Sequence, residues 1–142
     1  MATVNTCRIQ VGRLLEVDLA AGYRTLHDVD DMIAQSAAQF ATLDQRRAVV
    51  AADWRACKLF TPEVAERALQ LLVGVSPRIE RAAILHRADQ ATSILQVARL
   101  ARECHFADRQ VFTHADQMER WLGEVLDPPE RARLHAFLER AG

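Results

Sequence analysis

No apolar stretch in this chain approaches the length needed to cross a bilayer, and none follows a basic N-terminal segment as a secretory leader would. The five glycines are scattered, so no glycine-rich phosphate loop is expected. Cysteine is scarce and odd in number. Cys7, Cys57 and Cys104 stand far apart, which argues against a disulfide framework and predicts free thiols in a reducing, cytoplasmic setting. No cysteine pair has C-x-x-C spacing, and none of the histidines (His27, His86, His105, His114, His135) lies three or four residues from another. No metal site and no cofactor are therefore expected. Lysine is nearly missing, since Lys58 is the single one beside seventeen arginines. Those arginines are interleaved with acids and the formal net charge is −1, so nucleic acid and anionic membrane surfaces are not expected partners.

What is present is an alternation of short apolar strands with amphipathic helices. Its 142 residues suit one domain with a substantial core. The organising stretch runs from Arg46 to Val73. Ala48 to Ala52 reads as an apolar strand that leads into Asp53 and Trp54. A helix then opens at Thr61, an N-cap, with Pro62 at the first helical position. Val64, Ala65, Ala68, Leu71 and Leu72 form its buried stripe, and Gly74 and Pro77 mark its end.

Before this stretch, Cys7 to Val11 and Leu14 to Leu19 alternate with a strand period, either as a hairpin turning at Gly12-Arg13 or as one long bent strand. The alternation points Leu15, Val17 and Leu19 inward and Glu16 and Asp18 outward. Thr25 with Asp28 marks the start of a helix over about 26–42, with Leu26, Val29, Ile33, Ala37 and Phe40 as its stripe. After the organising stretch, Arg81 to His86 predicts a strand and 91–104 a helix with Ile94, Leu95, Ala98 and Ala101 inward. Arg109 to Thr113 predicts the last strand, and Thr113 and Asp116 are expected to cap the helix that carries Met118, Trp121, Leu122 and Val125. Asp127-Pro128-Pro129 breaks that helix before a final one over 130–141. The order β-β-α-β-α-β-α-β-α-α predicts an α/β domain with a mixed, largely parallel sheet of four to five strands.

The strand ending in Asp53, the strand RAAILH and the tail RQVFTHADQMERWL, in this order, resemble the STAS superfamily and within it the SpoIIAA-like, or STAS/SEC14, group. The resemblance covers about Cys7 to Leu126, with Val111-Phe112 and Trp121-Leu122 in the places where that group carries its characteristic last strand and helix. It implies a non-catalytic, bacterial-type regulatory module. Relatives include anti-sigma factor antagonists, which bind a kinase partner and are switched by serine phosphorylation at the start of the central helix. Here that region is Lys58 to Glu63; the Asp-Ser pair is absent, and the nearest hydroxyl is Thr61, directly before proline. The departure speaks against a phospho-switch. The SEC14-like side of the resemblance implies instead a small apolar, lipid-like ligand between sheet and helix.

Each candidate residue also has a plain structural role. Thr61 serves as a helix cap, contributing about 1 kcal/mol, or as a phosphoacceptor; one hydroxyl cannot do both, and the cap prevails. Asp53 and Trp54 leave the central strand where open α/β sheets bind ligands, and with Arg55, Lys58 and Phe60 they can line a pocket; equally, Asp53 caps a turn and Trp54 covers core. Asp53 as a receiver-type phosphoacceptor is rejected, since the paired acids and the lysine of such a site are missing. His86 and His114 end strands on the same edge. Cys57 with Asp53 and His86 would be a nucleophilic set, but no elbow motif marks the thiol as activated, so an enzyme is not expected.

The expectation is a regulatory or protein-interaction module whose partner surface draws on Asp53, Trp54, Lys58, Phe60, Thr61, His86 and His114. A carrier or sensor of a small apolar ligand is the alternative, and a small enzyme a more remote one. The added helix at 128–142 carries Leu134, Phe137 and Leu138, which must be buried either on its own sheet or against a second subunit; the second option, a homodimer, is favoured.

Overall fold

The computed structural model describes residues 4–140. Five strands, β1 (Thr6–Ile9), β2 (Leu14–Asp18), β3 (Ala48–Asp53), β4 (Ile79–Leu85) and β5 (Arg109–Phe112), form one sheet in the order β1-β2-β3-β4-β5. β1 runs antiparallel to β2, and all other neighbours are parallel. The helices are α1 (Leu26–Thr42), α2 (Pro62–Val75), α3 (Ala91–Glu103), α4 (Ala115–Gly123) and α5 (Pro128–Glu139). The α/β class and the order of elements are as the sequence predicts. Among the described residues no helix is long and apolar enough to cross a membrane.

Three successive crossovers each move one strand further in the same direction, which places α1, α2 and α3 on one face of the sheet. Alternation along each strand then builds two cores. Leu15, Val17, Val50, Ala52, Ala82 and Ile84 meet α1 to α3. Leu14, Val49, Ala51, Ala83 and Leu85 meet α4 and α5 on the opposite face. Both faces of the central strands are covered, which explains why β3 is buried at every residue.

The β1–β2 question resolves as a hairpin. Gly12 takes φ +58°, and a side chain there would also strike the Glu130 carboxylate. The free edge of β1 is closed by α1, where Gln35 Oε1 and Gln39 Oε1 accept from the Cys7 and Ile9 amides at 2.9 and 2.8 Å. Such capping removes an edge that would otherwise invite strand pairing.

Several expectations are corrected. Glu16 points away from α1 as predicted, yet it is 3 % exposed, because α5 lies over that face and Arg133 grips its carboxylate with two hydrogen bonds of 2.8 and 2.9 Å. On α1 the stripe is Val29, Met32, Ser36 and Phe40, while Leu26 and Ile33 are exposed. On α3 it is Ser93, Val97 and Leu100, and Leu95 is 71 % exposed. Ser36 and Ser93 sit inward because each finds a buried partner, Cys7 Sγ and His86 Nε2. α2 continues through Gly74, and Pro77 lies in a short 3-10 turn, Ser76–Arg78. His114 occupies the N-cap of α4, and neither Thr113 nor Asp116 caps it. α5 starts at Pro128 through a capping box of Asp127 and Glu130, and Ala141 lies outside the described residues. Its Leu134, Phe137 and Leu138 are buried on this chain's own sheet, so the stripe that suggested a second subunit is satisfied within one chain.

Candidate functional site

The C-terminal ends of β2 and β3 carry the candidate site, because parallel strands deliver their loops there. Asp18 and Asp53, register partners, end these strands side by side. Asp53 is 5 % exposed and fully engaged. Its Oδ1 accepts from the Arg55 amide and Nε at 3.1 and 3.0 Å, its Oδ2 accepts from Arg55 Nη2 at 3.0 Å, and Arg140 stands 3.6 Å away. Burial pushes the Asp53 carboxyl up, but the Arg55 hydrogen bonds and charge, with Arg140 behind them, outweigh it together and hold the group below its ordinary value. Asp53 is thus a turn brace, with no free carboxylate oxygen to serve as base or nucleophile.

Trp54 and Phe60 turn inward and meet Tyr23 from the β2–α1 loop. The three rings form a triangle with centroids 5.7, 5.9 and 6.0 Å apart, in edge or tilted contacts. All three are buried, so Trp54 and Phe60 support the surface from beneath. Cys57 is buried beside them, and desolvation pushes its thiol up to about 12. A thiol in that state is a poor nucleophile at neutral pH. Cys7 and Cys104 are likewise free and buried.

Above the triangle the two loops are tied down by side chains from elsewhere in the chain. Asn5 donates to the Gly22 carbonyl at 2.8 Å and accepts from the Ala21 amide at 2.9 Å. Gln96 on α3 clasps both backbone groups of Phe60, accepting at 2.7 Å and donating at 3.1 Å. Gly22 adopts φ +71° and runs close to the backbone of Ala56 and Cys57, bringing the loops together. Between them lies an open groove of about 760 Å³, lined by Ala20, Ala21, Gly22 and Ala56 and rimmed by Arg24, Lys58, Leu59 and Thr61. The Thr61 hydroxyl accepts from the Val64 amide at 3.3 Å as the cap of α2. A second groove of about 570 Å³ beside it holds Asp18, Asp53, Arg55, Arg87 and Arg140, charges of both signs.

Compared with protein-family models, curated proteins and solved structures, the chain matches none.

The fold brings together five of the seven residues named from the sequence. Asp53, Trp54, Lys58, Phe60 and Thr61 share one loop, but only Lys58 and Thr61 stand at its surface. His86 is wholly buried: its Nδ1 accepts from the Arg87 amide at 2.6 Å, and its Nε2 lies 2.8 Å from the Ser93 hydroxyl. Burial first, and the Arg87 charge second, depress its pKa. His114 is exposed at the exit of β5, and neither histidine lines the groove. Asp53, Cys57 and His86 share no hydrogen bond, each being engaged or enclosed separately. No group of three metal-ligating side chains occurs among the described residues. An apolar cavity of about 50 Å³ lies between the sheet and α1 and α2, with Trp54 and Tyr23 in its wall. Sequence reasoning missed Asn5, Tyr23, Arg24 and Gln96. Nothing local marks the first and last, because what they hold lies 16–17 and 36 residues away.

Proposed function

We propose that the chain is a non-catalytic regulatory or protein-interaction module, similar to SpoIIAA-like and STAS domains, and that the paired loops around Arg24 and Lys58 are its working surface. One observation carries this reading: both loops are fastened by side chains from elsewhere in the chain, the buried Asn5 and the half-buried Gln96, which fix loop backbone. A connection between elements needs no such fastening and is ordinarily mobile. A surface that meets a partner gains from it, because ordering entropy is then spent in folding and not in binding. The catalytic reading lacks support, since Asp53 is neutralised, Cys57 is enclosed and His86 faces inward. A carrier of a lipid-like ligand would call for roughly 300–1,000 Å³ of enclosed space. The cavity beneath the rings is about 50 Å³.

The test is photo-crosslinking in the source cells, with a photoreactive residue at the exposed position Ala56 in the groove and a control at Gln70 on α2. A discrete protein adduct at position 56 and none at 70 is the expected result. No adduct, or equal labelling from both positions, would remove the groove as the working surface.

A further inference from the structure

We propose that the groove takes an acidic peptide segment of a partner protein, carboxylates meeting Arg24 and Lys58 and an apolar side chain meeting Leu59. This rests on the interaction reading above and adds the chemistry of the partner. The first ground is charge. Arg24 and Lys58 rim the groove, no acid lines it, and neither cation forms an ion pair among the described residues. The neighbouring groove shows the contrast, since Arg55, Arg87 and Arg140 there each already hold an aspartate. The lining itself thus holds two unpaired cations and no acid, although Asp28 stands behind Arg24 and accepts from its amide at 2.9 Å.

The second ground is what accompanies the charge. Leu59 is 58 % exposed at the same rim, and the alanines and glycine along the groove let an extended backbone approach closely. A nucleic acid would look for exposed aromatic faces, whereas Tyr23, Trp54 and Phe60 are all buried. A compact phosphate would look for free helix amides, yet the Thr61 and Thr25 hydroxyls already cap the two helices that start beside the groove. Two cations are too few to hold an anionic bilayer, which takes about 4–8. Carboxylates on a chain, next to an apolar side chain, match what remains.

The experiment is an NMR titration of the full chain, joined to fluorescence anisotropy, with a short labelled peptide in which glutamates flank a leucine. Controls are the same peptide with glutamine in place of glutamate, a phosphoserine peptide and anionic vesicles. Shifts confined to residues 20–24 and 56–61, and affinity about tenfold weaker for the double variant Arg24→Glu, Lys58→Glu at unchanged Tm, are expected. Both side chains are exposed, so this variant folds. Equal binding of the glutamine peptide, tighter binding of the phosphopeptide or vesicles, shifts elsewhere, or no binding would each overturn the assignment. The crosslinking result separates the two levels. An adduct at position 56 with a partner segment that is not acidic sinks only the peptide chemistry, while no adduct removes the groove as the working surface.

Discussion

Arg133→Met isolates the contact that holds α5 over the sheet. Glu16 lies mid-strand in β2, 3 % exposed, and its carboxylate receives two hydrogen bonds from Arg133; Gln10 Nε2 is 3.5 Å away, and Arg8 is its register partner on β1. Methionine keeps the stem that covers the sheet but strands the carboxylate in a nearly dry site. Breaking a buried ion pair from one side costs about 3–5 kcal/mol. The Arg133 side chain is 27 % exposed, so water can partly replace it, and the low end, about 3 kcal/mol, is expected. Replacing both partners, Glu16→Met with Arg133→Met, removes the orphaned charge and should recover most of that loss. Urea unfolding of the parent, both single variants and the double variant measures this, with the m-value checking that the unfolded state is unchanged. If Arg133→Met costs less than about 0.5 kcal/mol, the range of ordinary surface changes, Glu16 is solvated and α5 does not cover β2 as described.

Thr61→Val should cost about 1 kcal/mol by urea unfolding and Thr61→Ser almost nothing, since the hydroxyl acts as a cap; stoichiometric phosphorylation of Thr61 in protein from its own cells would contradict this. Thiol titration should find three free groups after denaturation without reductant and very slow reaction in the native protein, because all three thiols are buried, and burial also pushes Cys57 up to about 12 and Cys7 to about 11. The folded-state pKa of His86 is depressed, so its contribution is complete above the unfolded value of about 6.5 and is lost as pH falls through the folded value. Parent stability should therefore fall on acidification below about pH 6.5 partly through this residue, and His86→Asn should flatten that part of a stability-versus-pH curve; an unchanged curve would mean that His86 titrates alike in both states.

Alternation in Leu14 to Leu19 and the Thr61-Pro62 start placed their elements correctly, because both signals are local and stand on backbone geometry. The inward faces of α1 and α3 were less legible. A stripe of apolar residues is the usual guide, but here Ser36 and Ser93 point inward while Ile33 and Leu95 face solvent. Those serines are admissible only because Cys7 and His86 wait for them, and a helix pattern holds no record of that. Glu16 misled for the same reason, as its cation arrives 117 residues later. At the site, Lys58 and Thr61 were legible as surface groups of the central loop, whereas Trp54 and Phe60 proved to be its support. The fastening by Asn5 and Gln96 depends on which loops the topology brings together, so it became visible only with the fold.

That the two loops form a surface built before any partner arrives is tested most directly by amide hydrogen exchange of the free protein, resolved over residues 20–24 and 55–61. Fastened as described, the amides of Ala21, Cys57 and Phe60, bonded to Asn5, Trp54 and Gln96, should exchange at rates approaching those of β3, and Gln96→Ala should release the Phe60 amide by an order of magnitude or more. Exchange of all three at the rates of an unstructured loop in the unaltered protein would contradict a preformed groove.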